Sequence, residues 1–273
     1  VDIEFLCARA HYYHAVGLTE RDDIVGACEH YLTALEIMEE MMAKDKGLKA
    51  KGEEKANDSE LEANSIDYEK IRFKALIYTR LGRLFHDNAY GELSLSKYSK
   101  ALKYYGIIDD TLSVSIIYKL IANTYHLLNK PDTALYYYNE SLRTSSNITN
   151  RLDVEKSVAQ ILFEKGEKDS AYILIKNNLD KIENTNVKYS YYNILGEMYI
   201  EDKEYDSAVY YLTKSINSNI SVIKVNSAIK LSAIYDSIGD YEKKAYYDDI
   251  VSKISISDIN KNIERNKLQD VYD

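Results

Sequence analysis

Small and large apolar residues recur at helical spacing in five segments of the chain. The small residues are Gly82, Ala122, Ala159, Gly196 and Ser232, so the segments are 40, 37, 37 and 36 residues apart. Each small residue is followed three positions later by a large apolar residue, and in three segments a tyrosine also stands four positions before it. Positions i, i+4 and i+7 share one face of a helix, so the pattern predicts five amphipathic helices.

A second helical pattern begins nine residues after the small residue in three of these segments. In each case an alanine is followed four positions later by a large residue, which predicts a second helix packed closely on the first. The alanines are Ala134, Ala171 and Ala208, and the large residues are Tyr138, Ile175 and Leu212. An aspartate stands two positions before each alanine and is predicted to cap the helix N-terminus. These aspartates are Asp132, Asp169 and Asp206.

An earlier helix pair is predicted at the start of the chain, because Ala27, Tyr31 and Ala34 repeat the spacing of the second helices. The segment 42–67 then interrupts the period. It is rich in lysine and glutamate and has almost no large apolar residue, so it is predicted to be a mobile loop or a frayed helical extension.

These patterns resemble the tetratricopeptide repeat, whose first helix carries a Leu-Gly pair and whose second helix carries spaced alanines. The pairs at 81–82, 121–122 and 195–196 and the GDY turn at 239–241 match that motif, although tyrosine replaces its tryptophan and its closing proline is absent. The resemblance implies an all-α solenoid of antiparallel helix pairs, with about six pairs and a C-terminal helix. The expected organisation is one solenoid over 1–273. It comprises a first pair (1–41), a polar insertion (42–67), five repeat-like units (68–254) and a last helix (255–273).

The chain has 27 tyrosines and no tryptophan, and three tyrosines follow one another at 136–138. Tyr138 is predicted to be the large packing residue of its repeat. In the resembled family, the place of Tyr137 often holds an aromatic against a neighbouring unit. Tyr136 is predicted to face outward, as are Tyr210 and Tyr246 at the same place in later repeats. These outward tyrosines reflect either composition or a second contact surface.

The resemblance also implies a concave groove, with contact residues just beside the packing stripe of each first helix. Carried over to this chain, those positions are Thr79, Arg80, Arg83 and His86, then Lys119, Asn123 and His126, then Lys156 and Gln160, and finally Asn193 and Glu197. Lys119 and Asn123 look like half of the carboxylate clamp of chaperone-binding tetratricopeptide domains. The groove is therefore expected to hold an acidic or carboxylate-bearing peptide or protein segment.

Charge and motif content exclude several other classes. The net charge of −9 lacks the basic excess of a nucleic-acid binder, so no direct nucleic-acid binding is expected of this region. No apolar run is long enough to span a membrane. We find no catalytic motif, so the chain is predicted to be no enzyme and to need no cofactor. The two cysteines are too few for a disulfide framework.

One helical constellation has metal-ligand residue types. Cys7, His11 and His14 follow i, i+4, i+7 spacing and so share a helix face. The histidines also fall where this first helix would carry its packing residues. We therefore favour a packing role for them over a metal site.

The function that the resemblance implies is a protein- or peptide-binding module. Tyrosine-rich repeats that start without Met and end inside a helical pattern are similar to the sensory regions of bacterial membrane-tethered transcriptional regulators. Other tetratricopeptide proteins are peptide-pheromone receptors or general scaffolds, and these are the alternatives. The chain is expected to be a fragment of a longer or processed protein. The compartment, cytoplasmic or periplasmic, and the oligomeric state stay open.

Overall fold

The computed structural model of the chain describes residues 2–50, 59–183 and 185–254, and within them every regular element is an α-helix. In chain order the helices are α1 (Ile3–Thr19), α2 (Ile24–Ala50), α3 (Ser59–Asp87), α4 (Gly91–Ile107), α5 (Thr111–Leu127), α6 (Pro131–Thr144), α7 (Ile148–Glu164), α8 (Lys168–Leu179), α9 (Thr185–Glu201), α10 (Tyr205–Ser215), α11 (Ser221–Ser237) and α12 (241–254). The predicted all-α fold of helix pairs is confirmed.

The same turn joins the two helices of every pair, which shows the repeat directly in the backbone. One residue of each turn has a positive φ between 57° and 86°. These residues are Asp22, Ala89, Asn129, Gly166, Lys203 and Gly239. A residue in the left-handed conformation after the last helical turn reverses the chain direction. The amides that follow then donate hydrogen bonds to carbonyl oxygens at the end of the helix.

The closing bond of each turn returns to the large residue that ends the first-helix motif. The amide of Lys130 donates to the carbonyl oxygen of Tyr125 at 2.9 Å, and the amide of Glu204 donates to that of Tyr199 at 2.9 Å. This six-residue bond is the Schellman arrangement. Each motif therefore supplies both a packing side chain and the stop of its helix.

The small residues of the first helices lie where the second helix comes closest. A Cβ atom added to Gly82 would stand 2.4 Å from the ring of Tyr98, and one added to Gly196 would stand 2.5 Å from Leu212. The large residues that fill these contacts, including Tyr138 and Ile175, are at most 1% exposed. The close approach predicted from the small-and-large pattern is confirmed.

The predicted N-caps are wrong by two residues. The N-cap positions of α6, α8 and α10 are Lys130, Glu167 and Glu204, and none of them makes a side-chain capping bond. The three aspartates lie inside the first helical turn instead. There they act on the positive end of the helix dipole rather than as cap acceptors.

The chain divides into two compact units, Val1–Arg151 and Leu152–Asp273, and the division falls within α7. The core of the first unit joins α1 to α5, with Tyr12, Tyr31 and Tyr98 among its large buried residues. In the second unit one core cluster is shared by α7, α8 and α9, and another by α10, α11 and α12.

Stacked tyrosines form a seam between the two helices of several pairs. Tyr125 stacks on Tyr137 with ring centroids 5.4 Å apart, and Tyr199 stacks on Tyr211 at 5.5 Å. Tyr137 also contacts Tyr118, so its described ring partners outside α6 lie in the first helix of its own pair. The predicted contact of Tyr137 with a neighbouring unit stays a prediction.

The outward tyrosines are exposed as predicted. Tyr136, Tyr210 and Tyr246 are 59%, 55% and 61% exposed, and each touches the next tyrosine edge-on. Whether they form a second contact surface stays a prediction.

The ends of the polar segment continue the neighbouring helices, since 42–50 belong to α2 and 59–67 to α3. Residues 51–58 and the predicted last helix, 255–273, lie outside the described residues. None of the described helices is both long enough and apolar enough to cross a membrane.

Candidate binding cleft

A cleft of about 520 Å³ opens in the first unit between the first helices of three successive pairs. Most of its lining comes from α1, α3 and α5, with Tyr105 contributed by α4. Each helix supplies residues at helical spacing: Phe5, Arg9, Tyr12 and Tyr13 from α1; Glu69, Arg72, Phe73, Leu76, Thr79, Arg80 and Arg83 from α3; and Ser113, Ile116 and Ile117 from α5. The first helices therefore form a binding-sized surface, as the repeat pattern implies.

The wall from α3 is one continuous stripe. Arg72, Leu76, Thr79 and Arg83 follow i, i+4, i+7, i+11 spacing, which keeps them on one face. The stripe places a guanidinium at each end and less polar side chains between them. An extended ligand along α3 would meet charge, then apolar surface, then charge.

The wall from α1 is held by aromatic packing against α3. The ring of Phe73 makes edge contacts with Phe5 at 5.5 Å and with Tyr12 at 5.3 Å between centroids. Arg80 Nε donates a hydrogen bond to the hydroxyl oxygen of Tyr12 at 3.2 Å. These contacts orient Tyr12 and Arg80 along the cleft.

An ion pair between an exposed aspartate and a buried lysine ties the start of α1 to α3. Lys70 Nζ lies 3.1 Å from a carboxylate oxygen of Asp2, and the Lys70 side chain is 8% exposed. The other carboxylate oxygen of Asp2 accepts the amide of Phe5 and caps α1. The position of α1 therefore depends on contacts with α3 as well as with α2.

The cleft carries a local positive charge on an acidic chain. Four arginines and one glutamate line it, whereas the net charge of the chain is −9. Arg72 is 3.9 Å from Asp110, which is the N-cap of α5. Arg9 and Arg83 have no ion-pair partner among the described side chains, so their guanidinium groups are available to an anion.

The floor of the cleft adds a neutral hydrogen-bonding group. Burial raises the pKa of Tyr105, so its phenol stays protonated at physiological pH. Ser113 donates its amide and hydroxyl to Asp110, which fixes the first turn of α5 beneath the cleft. The arrangement offers guanidinium and aromatic surfaces, which suit a carboxylate next to apolar atoms.

The predicted groove residues of the first unit separate into two groups. Arg80, Arg83 and Thr79 line the cleft. Lys119, Asn123, His126 and His86 are not among its lining residues.

The residues outside the cleft include two that make specific contacts. The carboxamide oxygen of Asn123 accepts the Tyr138 hydroxyl at 2.6 Å, which engages it with the core. His86 Nδ1 lies 3.0 Å from the Thr124 hydroxyl. In the predicted half-clamp of Lys119 and Asn123, the Asn123 side chain therefore already makes a hydrogen bond within the chain.

The predicted residues of the second unit are also engaged with neighbours. Lys156 Nζ is 3.0 Å from the carboxylate of Asp153, and Gln160 is half-buried. Lys230, which was not predicted, lies between the carboxamide oxygen of Asn193, at 3.0 Å, and the carboxylate of Glu197. Glu197 therefore forms an ion pair with Lys230 of α11.

Sequence reasoning missed Arg9 and Arg72. Arg9 follows the buried Ala8 as Arg83 follows Gly82, and Arg72 lies on the stripe of Arg83 about three turns nearer the N-terminus of α3. Extending the stripe beyond the repeat motif would have found Arg72. Their placement in one cleft depends on the packing of α1 on α3.

The histidines of α1 lie beside a third histidine on α2. His11 Nδ1 is 2.8 Å from His30 Nδ1, and the rings of His14 and His30 are 4.3 Å apart between centroids. His14 and Cys7 are exposed, so the packing role predicted for His14 is wrong; His11 is half-buried. Within the described residues no group of three or more His, Cys, Asp or Glu side chains is arranged to hold a metal ion.

The repeated helix pairs, their common turn and the cleft between first helices define the class of protein. The chain has the tetratricopeptide-repeat fold, an all-α solenoid of helix pairs. Among solved structures it is similar to BtubC (BKLC) from P. vanneervenii. That match has a TM-score of 0.55 and 19% sequence identity over 72% of this chain and 86% of that one. It is also similar to the apo form of RapI, with a TM-score of 0.53 and 13% identity over 93% of this chain and 99% of that one.

At these identities the likeness shows the fold alone. No protein-family model matches the sequence, and a search of curated proteins gives no match.

Proposed function

We propose that the chain is a non-enzymatic interaction module that binds an acidic peptide segment of a protein partner in the first-unit cleft. The observation that carries this proposal is the pair of guanidinium groups, Arg9 and Arg83, that line the cleft without an ion-pair partner among the described residues. An arginine and a carboxylate match in geometry and form charge-assisted hydrogen bonds.

The size and lining of the cleft favour a short peptide stretch. A volume of about 520 Å³ lies within the range of ligand sites and admits a few side chains. The rings of Phe5, Tyr12 and Tyr13 give apolar surface next to the guanidinium groups. The preferred sequence therefore combines an Asp or Glu with a neighbouring aliphatic or aromatic residue.

The larger role that we propose is sensing within a regulatory protein, where occupation of the cleft is the signal. A module that binds a partner and contributes no chemistry suits this role. The contact roles of Lys119, Asn123 and His126 in the first unit, and of Lys156, Gln160, Asn193 and Glu197 in the second, stay predictions.

The test is a binding screen with labelled octapeptides in which acidic, neutral and basic residues alternate with apolar ones. We expect fluorescence polarisation to select the acidic peptides. Arg9→Glu and Arg83→Glu should each weaken their binding by about tenfold or more, the effect of losing a charged hydrogen bond. Selection of neutral or basic peptides would show that the cleft does not recognise an acidic ligand.

The matched control is Arg143→Glu. This exposed arginine of α6 is paired with Glu140 and lies outside the cleft, and its replacement changes the net charge equally. Equal weakening by all three variants would point to overall charge rather than the cleft. A complete absence of peptide binding would overturn the proposed function.

A further inference from the structure

The place that tyrosine holds between helices in other pairs is taken by histidine in the first pair. Tyr137 and Tyr211 directly precede the large packing residue of their second helix and meet tyrosines of the first helix. His30 directly precedes Tyr31, the packing residue of α2, and meets His11 and His14 of α1. We call these three the histidine seam. An imidazole can change its charge between pH 5 and 8, so protonation can act on the α1–α2 contact.

The geometry of the histidine seam limits the number of protons that it can hold. With Nδ1 atoms 2.8 Å apart, one imidazole of His11 and His30 must donate and the other accept. If both rings are protonated, both atoms become donors and the bond is lost. The ring of His14, at 4.3 Å from His30, adds repulsion when it is charged.

The surroundings of His30 also disfavour its protonation. Burial, followed by the charges of His14 and His11, lowers its pKa from the ordinary value of 6.5, while Glu29 on α2 opposes the shift. No group of α3 is among the described charges that act on it. A depressed pKa in the folded state means that the unfolded segment binds more protons. The stability contributed by the seam is therefore complete above about pH 6.5 and is lost as the pH falls below it.

The histidine seam and the cleft lie on the same short helix. Phe5, Arg9, Tyr12 and Tyr13 of α1 line the cleft, and His11 and His14 alternate with them on another face. A change in the docking of α1 would therefore move one wall of the cleft, including Arg9, whose guanidinium group has no ion-pair partner among the described side chains.

We propose that the histidine seam is a pH-sensitive latch, which holds α1 on α2 at neutral pH and releases it in mild acid, thereby weakening ligand binding in the cleft. The latch itself is independent of any ligand. Its effect on binding rests on the proposed function. The two parts need separate readouts.

Hydrogen exchange of the whole chain without ligand tests the latch. Protection of α1 is compared at pH 7.5 and 5.5, corrected for intrinsic exchange, with α5 as the internal reference. We expect protection of α1 to fall by up to about tenfold, the limit that one histidine can contribute at a pH one unit below the ordinary value, while α5 is unchanged. Equal protection of α1 at both pH values would overturn the latch.

The chain offers its own control, because His30→Tyr installs the residue found at the equivalent place in α6 and α10. This variant should keep α1 protected at pH 5.5. A loss of protection equal to that of the unmodified chain would contradict the proposal. If the tyrosine disturbs α1 at both pH values, His14→Gln decides, because removing this exposed charge should move the release of α1 to lower pH. An unmoved release would overturn the proposal.

The binding arm uses the acidic octapeptide selected for the cleft. We expect its affinity to fall by about tenfold from pH 7.5 to 5.5 for the unmodified chain and to stay constant for His30→Tyr. If the protection of α1 depends on pH but the peptide affinity does not, the latch does not control binding in the cleft, and the proposed coupling is overturned. Failure of every peptide to bind would overturn the proposed function and the coupling, and leave the exchange result to decide the latch.

Discussion

Tyr98 and Tyr138 occupy the same position in consecutive helix pairs, and both are at most 1% exposed, but their hydroxyl groups have different surroundings. Tyr138 donates to the carboxamide oxygen of Asn123 at 2.6 Å. The Tyr98 hydroxyl has no hydrogen-bond partner among the described residues. Its neighbour Ser94 donates to the carbonyl oxygen of Gly82 instead. The residue equivalent to Asn123 in this pair is Arg83, which lines the cleft.

This difference predicts opposite effects of the same substitution. Tyr138→Phe should lower the free energy of unfolding by about 1 kcal/mol, because it removes a hydrogen bond and leaves Asn123 without that donor. Tyr98→Phe should leave the stability unchanged or raise it, because it removes a buried hydroxyl that has no partner. Urea unfolding of the two variants checks this. An equal loss in both would show that the Tyr98 hydroxyl is satisfied in solution.

Residue identity also explains how far the repeat tolerates departures from its motif. Ser141 and Ser215 stand where the motif has alanine, and their hydroxyls donate to the backbone carbonyls of Ser115 and Tyr189. A buried hydroxyl that finds an acceptor costs little, so serine can replace alanine in the core.

At the scale of the element, the spacing of paired helices is set by a few small residues. Gly82 lies against the ring of Tyr98, and its helix has no room for a Cβ atom there. Gly106, near the end of α4, has open space around the same position. A substitution at Gly82 therefore tests helix packing, whereas a substitution at Gly106 tests backbone helix propensity.

Gly82→Ala should destabilise the protein by about 1–2 kcal/mol, because the overpacking penalty exceeds the gain in helix propensity. Gly106→Ala should stabilise it by up to about 1 kcal/mol, through propensity alone. Thermal unfolding followed by circular dichroism distinguishes the two. A higher melting temperature for Gly82→Ala would mean that Tyr98 moves aside at little cost.

Helix boundaries depended less on side-chain caps than the sequence indicated. The aspartates of the second helices lie in the first turn, and the chain reversal is made by the left-handed turn residue before them. Four of these six turn residues in the described pairs are not glycine, so glycine marked only the turns at Gly166 and Gly239, and sequence reasoning used only the second.

At the scale of the molecule, the cleft belongs entirely to the first unit. Its lining comes from α1, α3, α4 and α5, all within 1–151. In repeat folds each pair is stabilised mainly by its neighbours, so part of an array can fold without the rest. The first unit also has its own core, which joins α1 to α5.

The fragment 1–151 should therefore be helical by circular dichroism and bind the acidic octapeptide with an affinity within about twofold of the whole chain, as expected of independent distant sites. The same fragment with Arg83→Glu is the control for specific binding. A folded fragment that binds much more weakly would show that residues beyond 151 contribute to the site.

The sequence by itself determined the helices, their pairing and the small-and-large packing contacts, because these follow from local periodicity that each repeat restates. It also identified Arg80 and Arg83 as cleft residues, since both lie beside the motif. Tertiary structure alone decided the rest of the site. Arg9 joins Arg83 only through the packing of α1 on α3, and His11 meets His30 only through the turn that folds α2 back on α1. Whether a charged side chain faces a ligand or a partner within the chain, as Glu197 faces Lys230, depends on contacts between helices, which local periodicity does not encode.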